Sequence, residues 1–110
     1  MCWGATRRYL LLFTLAPLFN MHYLYLLKSV ATEEIYIGST NDLRKRFRLH
    51  NEGRCRSTKS KRPWKLIYYE AYGIEKLARL REKRLKQHGN AKRELKRRIG
   101  LIRDKKSGVG

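Results

Sequence analysis

The stretch of residues 36–46 constrains the fold of this chain more than any other. In residues 35–38 an isoleucine alternates with a tyrosine and then a glycine, so the two faces of a β-strand would differ in chemistry. A polar turn follows, in which Thr40 or Asn41 can cap a helix that begins at Asp42. The sequence therefore predicts a strand, a tight turn and a basic helix in direct succession.

The hydrophobic pattern predicts the remaining elements. Tyrosine alternates with leucine in residues 22–28, which indicates a strand that forms an antiparallel hairpin with residues 34–38. In that hairpin Tyr25 and Tyr36 can share one face. The order strand, strand, helix, strand, helix, helix indicates an α+β fold. The other predicted elements are a helix over 42–51 that stops at Gly53, a strand over 64–72 that ends at Gly73, a helix over 74–88 closed by Gly89, and a helix over 90–101.

Glu82 lies at the edge of the apolar face of the second predicted helix, where nearly every other exposed position is lysine or arginine. An ion pair with Arg79, Lys83 or Lys86 is the more common explanation for such a residue, and a functional carboxylate is the alternative. The predicted apolar positions are Ile74, Leu77, Ala78, Leu80 and Leu85 on the second helix and Leu95, Ile99 and Ile102 on the third. On the third strand Leu66, Tyr68 and Glu70 are predicted to alternate with Ile67, Tyr69 and Ala71.

The first twenty residues differ in composition from the rest, and we treat them as an extension before a domain of residues 21–98 and a basic tail of residues 99–110. Arg7 and Arg8 precede an apolar run over residues 9–19, which is shorter than the roughly 20 residues of a membrane span. The extension is interpreted as upstream sequence read through from a misassigned start before Met21, as a signal or anchor, or as a structural helix.

The charge balance indicates a polyanionic partner. The chain has 110 residues, with 27 Lys and Arg against 9 Asp and Glu, for a net charge of +18. Such an excess favours binding to DNA, RNA or an anionic membrane surface. Cys2 and Cys55 lack disulfide or metal-site spacing and fit a reducing compartment, so a cytoplasmic location is expected. The cations predicted to contact a nucleic-acid backbone are Arg44, Lys45, Arg54, Arg56, Lys59, Lys61, Arg62 and Lys65.

A phenol, a glycine and a guanidinium near the turn suggest a phosphate site. Gly38 leaves room for a close approach, and Arg46 would project toward the tyrosine face. His50 follows Arg46 by four residues, so the two side chains would lie next to each other. A hairpin strand that simply leads into an amphipathic helix explains the same stretch about equally well.

Together these residues resemble the GIY-YIG nuclease family, and above all its small single-domain members, which are similar to the N-terminal nuclease domain of the bacterial excision-repair endonuclease. Residues 23–25 and 36–38 stand at the two halves of the signature, although Tyr23 replaces its first glycine. Arg46, His50 and Glu82 fall at the helix arginine, the following histidine or tyrosine, and the metal-binding glutamate. The run of residues 61–66 is also similar, and the late asparagine of the larger enzymes has no secure match.

The resemblance implies a small three-stranded antiparallel sheet flanked by helices and a metal-dependent DNA endonuclease, with a role in DNA repair or recombination. One Mg²⁺ or Mn²⁺ ion would be held by Glu82, while Arg46 would neutralise the phosphoryl charge. Tyr25 or Tyr36 would take the proton of the attacking water, with help from His50 or with His50 only hydrogen-bonded to the tyrosine. The surrounding positive charge is expected to lower the tyrosine pKa.

Two other functions stay open at this point. A nucleic-acid-binding module on the same fold would explain the charge without catalysis, and a membrane-tethered basic protein would rest wholly on residues 9–19. No small-molecule cofactor is expected, RNA is not excluded as a substrate, and a partner protein could supply the targeting that a single small domain lacks.

Overall fold

The computed structural model describes residues 21–102. The predicted order of elements is confirmed, with a short 3₁₀ turn at Lys59–Lys61 in addition. The elements are the strands β1 (His22–Ser29), β2 (Ile35–Thr40) and β3 (Trp64–Tyr72) and the helices α1 (Leu43–Asn51), α2 (Glu75–Gln87) and α3 (Gly89–Arg98). The predictions for residues 1–20 and for the tail beyond residue 102 lie outside the described residues.

The three strands form one antiparallel sheet in the order β2-β1-β3, as predicted for the α+β fold. β1 is central, so Tyr25 lies opposite Gly38 on one side and opposite Tyr69 on the other. Because β1 is covered on both faces, residues 24–27 are all buried.

Each face of the sheet packs against a different layer. On one face Tyr25, Leu27 and Trp64 form a cluster to which Leu43 and Phe47 of α1 are added. On the other face Leu24, Leu26 and Ile37 pack against Leu85 of α2 and Leu95 of α3. Tyr36 lies on the α1 face with Tyr25, as the alternation of residues 35–38 predicts.

β3 contains an irregularity that the sequence pattern did not predict. Leu26 pairs with Tyr68 but Leu27 pairs with Leu66, so Ile67 is an extra residue in the ladder. Leu66 therefore packs on the α1 face, whereas Tyr68 packs on the face of α2 and α3. The prediction that Leu66 and Tyr68 share a face was wrong, because a bulge interrupts the two-residue period.

The helix ends differ in detail from the prediction. The N-cap of α1 is Asp42, whose carboxylate accepts a hydrogen bond from the Lys45 amide at 3.1 Å, and not Thr40 or Asn41. Gly53 has a φ of 77° just after α1, which confirms it as the residue that ends the helix. His88 is extended and joins α2 directly to α3, so Gly89 begins α3 and does not close α2.

The face of α2 that meets the sheet is more polar than predicted. Ala78 and Leu85 are buried, and the positions between them are occupied by Arg81 and Glu82. Arg81 can turn inward because its guanidinium pairs with Glu70 of β3, at 3.0 Å from the nearer oxygen. The predicted apolar positions Ile74, Leu77 and Leu80 are instead exposed, as is Ile102 after α3.

The end of the loop after α1 is fixed to β3 by an amide side chain. Asn51 Oδ1 accepts from the Trp64 amide at 2.6 Å, and Asn51 Nδ2 donates to the Trp64 carbonyl at 3.1 Å. Trp64 Nε1 donates to the carbonyl of Thr58 at 2.9 Å, so the middle of the loop is held against the same residue. Within residues 21–102, no helix is both long and apolar enough to cross a bilayer.

We expect Leu85→Ala to lower the free energy of unfolding by about 3 kcal/mol, because Leu85 is fully buried between the sheet and α3. Leu80→Ala on the same helix is the matched control, since Leu80 is 56% exposed and should change stability by less than about 0.5 kcal/mol. Urea unfolding of both variants tests this, and equal losses would contradict the assigned face of α2.

Candidate active site

Gly38 lies under the hydroxyl of Tyr25 at the centre of the candidate site. A Cβ atom added at Gly38 would lie 2.6 Å from the Tyr25 hydroxyl oxygen and 3.0 Å from Cε2 of Tyr36. The two tyrosine rings are 6.2 Å apart between centroids, and the His50 ring lies 4.9 Å from that of Tyr36. The absence of a side chain at Gly38 therefore lets three rings from β1, β2 and α1 converge.

A buried hydrogen-bond chain starts at Tyr25. Its hydroxyl is 2.8 Å from Nε2 of His50, and Nδ1 of His50 is 2.7 Å from the hydroxyl of Thr58. The Thr58 hydroxyl in turn donates to the Cys55 carbonyl at 3.3 Å. His50 and Thr58 have no exposed surface and Tyr25 is 1% exposed, so all three side chains are enclosed by the α1 layer.

Burial decides the protonation states of this chain. It raises the pKa of Tyr25 above its usual value, and the Arg46 guanidinium beside the hydroxyl opposes that shift without overcoming it. Burial also lowers the pKa of His50 to about 4, and the positive charge of Arg46 adds to the effect. The expectation that positive charge would lower the pKa of this tyrosine was wrong for Tyr25, because desolvation is the larger cause.

Arg46 extends from α1 toward a cavity of about 350 Å³ at the end of β2. The cavity is lined from β2 and the turn by Ser39, Thr40 and Asn41, and from α2 by Ala78 and Arg79. Arg46 itself is exposed, whereas its neighbour Tyr25 is not. A guanidinium that is fixed at its base and open at its tip is suited to binding an oxyanion.

Glu82 approaches the same edge strand from the other layer. Its Oε1 accepts a hydrogen bond from Ser39 at 2.6 Å, and its Oε2 accepts one from Lys86 at 2.7 Å. Lys86 Nζ also lies 5.9 Å from the centre of the Tyr36 ring, so the carboxylate oxygen is within the sum of these two distances of that ring. Glu82 is thus joined through Ser39 to the cavity and through Lys86 to the tyrosine, and it contacts neither directly.

The donor set fits a single hard cation held mainly by water and substrate. Each oxygen of Glu82 uses one lone pair in the contacts above and retains another, and the side chain is 22% exposed. Mg²⁺ commonly binds proteins through one or two carboxylates and keeps several waters. In the described residues no three His, Cys, Asp or Glu side chains are grouped to hold a metal, so Glu82 would be the protein ligand.

The eight cations predicted to bind a nucleic-acid backbone lie on α1, the following loop and the start of β3. Arg44 and Lys45 line a groove on the α1 face together with the exposed ring of Tyr69. Two of the eight are engaged within the chain, since Lys61 pairs with Glu34 and Arg54 with Glu52. The other six are Arg44, Lys45, Arg56, Lys59, Arg62 and Lys65, all exposed.

Sequence reasoning missed three residues of the site. Ser39 could have been suspected, because it follows Gly38 in the strand and must point to the layer that contains Glu82. Lys86 was named only as one of several ion-pair partners. Thr58 gave no signal, since it lies in a loop whose basic residues drew attention and its contact with His50 spans an irregular turn.

Comparison with known proteins agrees with the resemblance seen in the sequence. The GIY-YIG catalytic domain model matches residues 21–99. UPF0213 proteins are similar over most of this region: one from Bacillus pumilus is 39% identical over 75 residues, which cover 67% of this chain and 76% of the relative. One from Bacillus subtilis is 36% identical (69% and 77% covered), and one from Haloquadratum walsbyi is 30% identical (68% and 84%). No solved structure matches the chain.

We expect Gly38→Ala to destabilise the domain by about 1–3 kcal/mol, because the new methyl group would overlap the buried and hydrogen-bonded Tyr25 hydroxyl. Gly73→Ala is the control: a Cβ there meets nothing within 4 Å, so stability should be unchanged or slightly higher. Thermal unfolding measures both, and an unaffected Gly38→Ala would show that the tyrosine is free to move aside.

The lowered pKa of His50 predicts a pH dependence of stability. The unfolded state, with a histidine pKa of about 6.5, binds more protons than the folded state between that pH and pH 4. The contribution of His50, up to about 3 kcal/mol, is therefore complete above about pH 6.5 and is lost as the pH falls toward 4.

Urea unfolding of wild type and His50→Gln at several pH values between 5 and 7 tests this expectation. The wild type should lose more stability than His50→Gln over that range, while His88→Gln, at an exposed position, should follow the wild type. Parallel pH profiles for wild type and His50→Gln would contradict a neutral buried imidazole.

Proposed function

The chain belongs to the GIY-YIG catalytic domain family, and we propose that it is a metal-dependent endonuclease that hydrolyses phosphodiester bonds in DNA. The observation that supports this most is the meeting of three functional groups around one edge strand: Arg46 from α1, Tyr36 from β2 itself and Glu82 from α2. Each comes from a different element, and a purely structural role would not require them to meet.

We assign the proton of the attacking water to Tyr36 and not to Tyr25. Tyr25 is buried, its hydroxyl is engaged by His50, and its pKa is raised. Tyr36 is only partly buried, and within residues 21–102 its hydroxyl has no hydrogen-bond partner. Lys86, close to the Tyr36 ring, adds positive charge that favours the phenolate.

Arg46 binds the phosphoryl oxygens in this proposal. Its guanidinium can donate two parallel hydrogen bonds to a phosphate, and it stays charged at any relevant pH. As the phosphoryl oxygens gain charge in the transition state, a donor already held in place costs little reorganisation. The cavity beside it offers space for one phosphate with its neighbouring sugar atoms.

Glu82 is the proposed ligand for one Mg²⁺ or Mn²⁺ ion, which when bound would stabilise the phosphate and the leaving 3′ oxygen. Ser39 orients the carboxylate by donating to Oε1. Lys86 neutralises it in the absence of a cation, so it would have to move or share the oxygen when a cation binds.

The cellular role and the mode of DNA binding are proposed from fewer observations. The exposed cations of α1 and the loop would follow the DNA backbone and give little preference for sequence. Participation in DNA repair or recombination is proposed from the resemblance to the excision-repair endonuclease, and a cytoplasmic location from the free thiol of Cys55.

A nucleic-acid-binding module without catalysis is the second candidate. The ion pair between Glu82 and Lys86 favours it, because a carboxylate already neutralised by a neighbouring lysine has less tendency to bind a metal. This candidate predicts binding to DNA that is indifferent to Mg²⁺ and to the charge of Glu82.

Nicking of supercoiled plasmid in Mg²⁺ or Mn²⁺ separates the two candidates. We expect Glu82→Gln and Tyr36→Phe each to lower the nicking rate about a hundredfold, with DNA affinity in a gel-shift assay unchanged. Glu94→Gln removes the same charge from an exposed position on α3 and should nick like the wild type. Equal nicking by wild type and Glu82→Gln would refute the metal assignment, and binding without nicking by the wild type would favour the binding module.

A further inference from the structure

We infer that Thr58 fixes the direction of the buried hydrogen-bond chain from Tyr25 through His50, and that this chain orients Arg46 toward the phosphate. Thr58 and His50 are then positioning residues that touch no substrate. The part of the inference that concerns Arg46 rests on the function proposed above, whereas the direction of the chain does not.

The Thr58 end of the chain determines which nitrogen of His50 carries the proton. A threonine hydroxyl has one proton, and this one is directed to the Cys55 carbonyl. The Thr58 oxygen can therefore only accept from Nδ1 of His50, 2.7 Å away. A neutral imidazole protonated at Nδ1 has a lone pair at Nε2.

The Tyr25 end requires the same direction independently. The Tyr25 hydroxyl has two polar neighbours in the described part of the chain, His50 Nε2 and the Arg46 guanidinium. Arg46 can only donate, so the buried phenolic proton has Nε2 as its acceptor. Donation in the opposite direction would leave that proton unpaired in a buried place, which is costly.

The chain therefore presents the lone pairs of the Tyr25 oxygen to Arg46. The interaction with Tyr25 is the largest influence on the charged form of Arg46 and raises its pKa further. With the His50 proton moved to Nε2, the Tyr25 oxygen would accept from His50 and its own proton would point toward Arg46. A donor facing a cation would displace the guanidinium from the cavity.

Thr58 is held firmly enough for this task. Its carbonyl accepts from the indole of Trp64, and its hydroxyl bridges His50 and Cys55. These contacts tie the loop between α1 and β3 to the base of the site. Since Thr58 and His50 are fully buried, neither can contact a substrate directly.

The test is the tautomer of His50, read by long-range ¹H–¹⁵N NMR at pH 7 on the full chain. We expect wild type and Thr58→Ser to be protonated at Nδ1, because both provide the accepting hydroxyl. In Thr58→Val, which has the same shape without an acceptor, the proton should move partly or wholly to Nε2. Tyr25→Phe should leave the Nδ1 tautomer unchanged, since Thr58 remains.

The response of Arg46 is measured in the same samples. We expect hydrogen exchange at Arg46 Nε to be about tenfold faster in Thr58→Val and Tyr25→Phe than in wild type and Thr58→Ser, because the guanidinium loses its acceptor. If the proposed function holds, the kcat for plasmid nicking should fall about tenfold in Thr58→Val and be restored in Thr58→Ser. Thermal unfolding of each variant shows whether the fold is intact.

An Nε2-protonated His50 in the wild type would overturn the inference, as would a Thr58→Val variant with the tautomer and Arg46 exchange of the wild type. Should Thr58→Val fail to fold, a change of tautomer in Tyr25→Phe would overturn it and an unchanged tautomer would support it. A wild type that shows the expected tautomer and exchange but nicks no DNA would refute the proposed function and leave the chain direction standing.

Discussion

The hydroxyl of Tyr25 is the constraint on which the rest of the site depends. β1 is the central strand of a small sheet and must bury both faces, and one of its four buried side chains carries a polar group. A buried hydroxyl without a partner is costly, so the structure must supply one. His50 supplies it, and the need to complete the hydrogen bonds of His50 brings in Thr58. The site is thus built outward from a single atom.

Much of this fold could be predicted from the sequence because its signals are local. The two-residue alternation in β1 and β2 correctly put Tyr25 and Tyr36 on one face, and the helix that begins after the turn brought Arg46 and His50 beside them. These inferences require only the period of each element and the direction of the chain. The resemblance to a known family then placed Glu82 in the same list, which local patterns could not do.

The failures have a common physical origin in contacts between elements. The face of α2 was misjudged because Arg81 and Glu82 look exposed until Glu70 and Ser39 are known to meet them. The bulge at Ile67 depends on how β3 pairs with β1, which its own sequence does not reveal. The role of Thr58 depends on a loop whose shape is set by Trp64. In each case the missing fact is the partner and not the residue.

The double hydrogen bond between Asn51 and Trp64 has a consequence for how this domain could vary. An amide side chain here does the work of one more strand residue, since it satisfies both the amide and the carbonyl at the start of β3. The loop is therefore closed at its base by a side chain, and its solvent-facing turns are mechanically separated from the sheet. Related chains could lengthen or recharge the tip near Arg54 and so meet different nucleic-acid shapes, while the rings below keep their places.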